Sequence, residues 1–288
     1  MIGWDDVLQK TIDGEGFLKE IDTNGFWKCE TSVKKYASNL YKDVSEFKMP
    51  GSSADYVSID FMSKQPKILR DNHYYILRTG GGRFVILDET KFPNSYLDLS
   101  ISDSIQLETK EDPEFPELYK VFRKDVNDKS KQENSALEFP NALGCYDLLI
   151  KKLFGNVKWY VGPRGLKHSQ FHMYGKKSNG EPTDLPDYNG PEELDYTIWT
   201  KDCILLFEAK VVDRVNEGLD IGWHKMAYPA ARFSKINNYT IKPIYFLRCK
   251  NTIHLFDFPK FPFYNDGIII NDKKNQIPEK IFRIGLSR

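Results

Sequence analysis

The run CILLFEAK, residues 203–210, sets the tightest limit on what this chain can fold into. Cys203 to Phe207 is apolar throughout, so a strand made from it has no face for water and belongs inside a sheet, covered on both sides. The strand then ends in Glu208-Ala209-Lys210, with two charges of the kind a sheet core excludes. Charges at the end of a central strand point to a cleft.

The longer stretch ELDYTIWTKDCILLFEAK, residues 193–210, reads as a hairpin. A turn at Thr200-Lys201-Asp202-Cys203 sets Asp195 directly across from Glu208, with Cβ atoms roughly 5 Å apart. Side chains alternate along a strand, so Lys210 shares the face of Glu208. A slip of one residue would break the cluster. Two carboxylates at that spacing repel by about 3 kcal/mol at an effective dielectric of about 20. A raised pKa, the lysine or a divalent cation must offset the repulsion. A hard cation takes oxygen ligands, and Mg²⁺ takes one or two carboxylates together with water and substrate phosphate. The bland alternative is a salt-bridge cluster closed by Lys210.

The rest of the chain reads as two units. Residues 1–125 form an α+β unit with helical patterns at Asp5 to Ile12 and Glu30 to Tyr41. HYYILRTGGGRFVILDE, residues 73–89, reads as a hairpin. Its glycines are followed by a strand and by no Lys-Ser or Lys-Thr, which rejects a phosphate loop. RKDVNDKSKQEN, residues 123–134, is almost wholly polar, so a linker is expected at 126–135 and a second unit at 136–288. The second unit reads as a helix in 142–156, a strand at 157–161, and a long excursion over 162–192 with one short strand at Phe171 to Tyr174. The 193–210 hairpin, a helix over 216–236 and strands at 242–250 and 252–258 follow. Helices interleaved with a short mixed sheet make a layered α/β domain.

Composition narrows the class. The 19 Phe and 16 Tyr can fill sizeable cores. The formal net charge is zero, although the stretch from Ala136 onward carries 22 basic and 17 acidic residues, compatible with a phosphate-binding surface. Four widely spaced cysteines fit neither a disulfide scaffold nor a cysteine zinc site. MIGWDDVLQK shows no signal-peptide pattern, and no run approaches the ~18 apolar residues of a membrane span. The expectation is a cytoplasmic protein with no membrane partner.

An aspartate, a spacer and Glu-x-Lys on a hairpin, within a helix–strand–strand–strand–helix–strand order, resembles the PD-(D/E)XK nuclease superfamily. That family includes most type II restriction endonucleases as well as resolvases and repair nucleases. The matching residues are Asp195, Glu208, Ala209 and Lys210, and the resemblance covers roughly residues 136–258. Leu194 stands where the motif's proline would be. The resemblance implies a restriction-endonuclease-like αβββαβ core with a mixed central sheet. It implies Mg²⁺ held by Asp195, Glu208 and the Ala209 carbonyl, and Lys210 positioning the attacking water. Many members add an acid from the preceding helix. Glu138 and Asp147 are the candidates, with Pro140 expected to mark the helix start and so to leave Glu138 outside it. Glu193, on the face of Asp195, is another.

The activity so implied is a Mg²⁺-dependent, sequence-specific endonuclease of type II restriction type. It would cut double-stranded DNA as a homodimer, with the N-terminal unit aiding target recognition. The alternatives are a structure-specific repair or recombination nuclease and a non-catalytic nucleic-acid-binding protein. Expected DNA contacts are Lys167, His168, Gln170, Lys176 and Lys177 in the excursion, and Lys225 and Arg232 in the helix after the hairpin. His168 and His172 lack a partner set for zinc. The aromatic, proline-rich stretch 256–264 is expected to pack against the sheet or at a dimer contact.

Overall fold

A computed structural model describes residues 3–42, 49–109, 111, 113–127, 132–236 and 238–286. The N-terminal unit begins with α1 (Trp4–Ile12) and α2 (Glu15–Asn24). Asp6 accepts the Gly3 N–H at 2.7 Å in the first turn of α1, where a carboxylate also complements the helix dipole. Val7, Leu8, Thr11 and Ile12 form its buried face. Then come β1 (Phe26–Cys29), α3 (Val33–Leu40) and α4 (Lys67–Asp71). The hairpin β2 (Tyr74–Gly80) and β3 (Arg83–Asp88) completes a sheet of order β1-β3-β2. Its glycines form a plain turn, as expected.

The chain continues through β4 (Ile105–Leu107), α5 (Pro116–Asn127), α6 (Gln132–Ala142) and α7 (Cys145–Phe154). Next are β5 (Tyr160–Val161), β6 (Gly165–Lys176), β7 (Pro182–Leu194), β8 (Tyr196–Trp199), β9 (Cys203–Val212) and α8 (His224–Ala230). Last come β10 (Thr240–Cys249), β11 (Thr252–Asp257), β12 (Phe263–Tyr264), β13 (Gly267–Ile269) and β14 (Lys280–Gly285). The fold of the described residues is mixed α/β, with eight α-helices and three sheets. None of their helices is long and apolar enough to cross a membrane.

The seven-stranded sheet has the order β4-β14-β11-β10-β9-β8-β5. The apolar run makes β9 central: antiparallel to β8 on one side, parallel to β10 on the other, with Cys203 to Ala209 all buried. The parallel pair needs a crossover, which α8 supplies. Alternate residues of β9 feed two cores. Cys203, Leu205, Phe207 and Ala209 pack under α6 and α7, whereas Ile204 and Leu206 pack with α8 and with residues of β2 and β3.

Four sequence expectations change. The linker at 126–135 is largely helical: residues 126–127 end α5 and 132–135 begin α6, while 128–131 lie outside the described residues. Pro140 lies inside α6 rather than at a helix start. The excursion is a long two-stranded arm, β6–β7, in a sheet of order β12-β13-β6-β7. Its strand β7 carries Pro182, Pro186 and Pro191, which an edge strand tolerates because no ladder partner needs their missing N–H groups on its open side. The helix expected over 216–236 is shorter: a 3₁₀ turn at Val215–Gly218, α8, and a second turn at Ala231–Phe233.

The two units share a core. Tyr75, Leu77, Val85 and Leu87 of the first hairpin pack with Trp223, Met226 and Tyr228 around α8. Gly80, at φ +90°, lies so close to β7 that a Cβ there would stand 1.9 Å from the Asn189 carbonyl oxygen, so the hairpin tip docks where only glycine fits. From the N-terminal side, β4 joins the large sheet by pairing with β14. Trp223 stacks on Phe261 at 5.5 Å, and Phe256, Phe258 and Phe261 of the aromatic stretch are buried in the core, whereas Tyr264 is exposed.

Candidate active site

The β8–β9 hairpin has the expected register, with Tyr196 opposite Phe207 and Trp199 opposite Ile204. Thr200 donates its N–H to the Cys203 carbonyl at 2.8 Å and closes the turn. Continued by one step, this register brings Asp195 to Glu208 at the mouth of the hairpin. There Asp195 Oδ2 accepts the Ala209 N–H at 2.7 Å. N–H and C=O of one strand residue point to the same side, so the Ala209 carbonyl also faces the edge where Asp195 sits.

Glu208 is buried to 2 % exposure. Its Oε1 has no hydrogen-bond partner, yet it lies 3.1 Å from Lys210 Nζ and 3.8 Å from Lys225 Nζ as an ion pair. Lys210 Nζ is also 3.4 Å from Glu133 and 3.5 Å from Asp60. Lys225 Nζ is 3.3 Å from the other Asp60 oxygen. Four carboxylates (Asp60, Glu133, Asp195, Glu208) therefore surround two ammonium groups (Lys210, Lys225). Fully ionised, the cluster has a surplus of negative charge.

The electrostatics follow. Burial first, then the Glu208 charge, push Asp195 up to about 7, against the pull of the Ala209 N–H and of Lys210. Burial works to lower Lys210, but Glu208, Glu133, Asp60 and Asp195 outweigh it and hold the amine well above its ordinary value. Burial works to raise Asp60, and the Lys225 and Lys210 charges overcome it, so Asp60 stays below the usual carboxylate range. Burial and neighbouring Lys225 drive His224 down to about 3. It is a neutral core histidine between Tyr96 and Tyr228.

Asp60 and Glu133 were not singled out in the sequence. Asp60 comes from the N-terminal unit, in a segment stitched onto the residues ahead of α8. Gly222 donates to the Asp60 carbonyl at 2.7 Å, Met62 donates to the Asp220 carbonyl at 2.9 Å, and Phe61 bridges Ile221. Glu133 stands in the first turn of α6, inside the stretch expected to be a linker. A cavity of about 530 Å³, lined by Phe61, Lys64, Val211 and Asp213 among others, adjoins the residues that follow Asp60 and Lys210. Val211 and Val212 at the end of β9 line it, whereas Asp195, Glu208, Lys210 and Asp60 do not.

The other expected acids sit elsewhere. Glu138 is ion-paired with Arg164. Asp147 accepts the Trp159 indole N–H at 2.8 Å. Glu193 is exposed on β7 opposite Leu166. Among the expected nucleic-acid contacts, Lys225 belongs to the charge cluster. Lys167, His168 and Gln170 are exposed on β6 and, with Lys235, line a cavity of about 430 Å³. Arg232 also borders that cavity, but its guanidinium serves the fold. It pairs with fully buried Glu192 and donates to the Gly165 carbonyl at 2.7 Å, pinning the base of the β6–β7 arm. Lys176 is held at the arm's tip by Asp272 at 3.0 Å, and the Lys177 N–H closes the tip turn on Glu181 at 2.9 Å. His172 lies between Asp184 and Asp187, at 3.0 and 2.5 Å.

Among the described residues, no group of three or more His, Cys, Asp and Glu is arranged as a metal-ligand set. The donors at the strand end are fewer: two carboxylates and a carbonyl. They suit Mg²⁺, which takes one or two protein carboxylates and keeps several waters. The unbonded Glu208 Oε1 and the surplus negative charge fit a divalent cation there. Comparison with protein-family models, curated proteins and solved structures finds no match for this chain.

Proposed function

We propose that this protein is a Mg²⁺-dependent endonuclease of type II restriction type that hydrolyses phosphodiesters of double-stranded DNA. The observation that carries the reading is the strand-end constellation: Asp195 keyed to the Ala209 N–H, with Glu208 and Lys210 beside it on the central strand. Asp195, Glu208 and the Ala209 carbonyl would hold the metal. Bound there, Mg²⁺ would supply a more acidic water and polarise the scissile phosphate. The Lys210 ammonium stabilises negative charge building on the phosphoryl oxygens, a role whose loss costs about 10²- to 10³-fold in rate. Lys225 adds a second cation facing the same space. Lys167, His168 and Gln170 on the arm next to Asp195 offer groups for phosphates and base edges. In a symmetric homodimer, two such sites would face the two strands.

A second reading has support in one feature. Lys210 meets Asp60, Glu133 and Glu208 together, which would also describe a lock between the two units with no catalytic duty. The test is to incubate the protein with unmethylated plasmid and phage DNA, with and without Mg²⁺, beside Lys210→Ala and the charge-retaining Lys210→Arg. Discrete fragments from the wild type alone, and only with metal, are expected. Intact DNA under all conditions, with junction and flap substrates also uncut, would leave the lock reading standing. Cleavage of junctions or flaps alone would move the protein to the repair class.

A further inference from the structure

The lysines and two of the carboxylates alternate around a ring. Lys210 lies 3.1 Å from Glu208 and 3.5 Å from Asp60, and Lys225 lies 3.8 Å from Glu208 and 3.3 Å from Asp60. Each ammonium is thus shared between a carboxylate of the central strand and one from the N-terminal unit. Backbone hydrogen bonds at Gly222 and Met62 hold the Asp60 segment in place, independently of its side chain. If the Asp60 charge is removed, both lysines have Glu208 as their common partner. Oε1 of buried Glu208, the oxygen that both lysines approach, has no hydrogen-bond partner.

We propose that Asp60 is a positioning residue of this site: it shares both lysines with Glu208 so that neither is held by that carboxylate alone, leaving Glu208 able to hold a divalent cation, and, as the nearer partner of Lys225, aims that lysine at the substrate phosphate. The inference rests on the nuclease reading. It assigns the N-terminal unit a part in the site's own charge balance, beyond any part in recognition. Carboxylates that orient metal ligands without touching the metal typically contribute about 10- to 100-fold in affinity or activity.

The test uses the full chain without DNA and Mn²⁺ alone as the probe, with free Mn²⁺ followed by electron paramagnetic resonance. Wild type is expected to bind one ion at a site abolished by Glu208→Gln. Asp60→Asn should bind it about 10- to 100-fold more weakly, with Asp60→Glu recovering part of the loss. Lys225→Gln should bind Mn²⁺ more tightly, because a competing cation has gone, while raising the KM for DNA cleavage. The double variant should return near wild type in Mn²⁺ affinity. A residue with a merely structural role would not produce opposite signs in the two single variants. If Asp60→Asn does not fold, Lys225→Gln still decides. Unchanged or weaker Mn²⁺ binding in Lys225→Gln, or wild-type binding in Asp60→Asn, overturns the role of Asp60 while leaving a DNA-cutting enzyme in place. Absence of a Glu208-dependent Mn²⁺ site in a wild type that also fails to cut DNA overturns the nuclease reading and the inference with it.

Discussion

Replacing Asp195 with asparagine removes a carboxylate whose pKa burial and Glu208 raise from an ordinary 3.8 to about 7. The new carboxamide oxygen can still accept the Ala209 N–H, so the local geometry survives. Between those two values the folded chain holds a proton that the unfolded chain has released. Stability therefore falls as pH rises through this window, and the full cost of ionising Asp195 is present only above about 7. A shift of about three units corresponds to roughly 4 kcal/mol. In EDTA, Asp195→Asn should thus be more stable than wild type by up to about 4 kcal/mol at pH 8, shrinking to about 2 kcal/mol at pH 5. Urea unfolding of both proteins at the two pH values measures this. An equal gain at both pH values, or a variant less stable than wild type at pH 8, would refute the argument that Asp195 ionises against burial and Glu208. Adding Mg²⁺ at a hundredfold its Kd should raise the wild type by about 2.7 kcal/mol and the variant by much less.

Other substitutions test other parts of the fold. Lys210→Ala leaves buried Glu208 with only the more distant Lys225, and should cost roughly 3–5 kcal/mol in denaturant unfolding besides its effect on cleavage. Gly80→Ala forces a Cβ to within 1.9 Å of the Asn189 oxygen at φ +90°, and should destabilise by about 2–4 kcal/mol, read as a lower midpoint in urea. Arg232→Ala strands the buried Glu192 charge and should likewise cost about 3–5 kcal/mol. Arg232→Ala combined with Glu192→Gln should recover much of that loss, a pattern that a surface contact to DNA would not produce.

What the sequence disclosed depended on the distance over which each feature is determined. The β8–β9 hairpin was legible because a short turn fixes register locally, and because an unbroken apolar strand has only one place to go. The same run identified the central strand, whose last residues, Val211 and Val212, line a cavity. The β6–β7 arm was missed for a reason that can be named. Its prolines and glycines read as loop, although Phe171, Met173 and Gly175 alternate inward on β6 and are buried. An edge position removes the penalty that those prolines would carry in a central strand. Glu133 was lost in a polar stretch whose helix has little amphipathic signal of its own.

Asp60 marks the boundary of what local reasoning reaches. Nothing in SIDFM, residues 58–62, resembles a motif. Its place is decided by backbone bonds to a segment preceding α8 and by the docking of the first hairpin through Gly80. The hairpin supplies Asp195, Glu208 and Lys210 within one local unit, but the rest of the charge cluster comes from elsewhere: Lys225 of α8 adds a second positive charge, whereas Glu133 of α6 and Asp60 of the N-terminal segment add further negative charge around Lys210. The repulsion read from the hairpin left open whether a raised pKa, Lys210 or a cation offsets it, and the structure adds both a second ammonium and two more carboxylates to that balance. Chemistry at this strand end depends on the whole fold, because the residues that carry the motif cannot set their own charge balance.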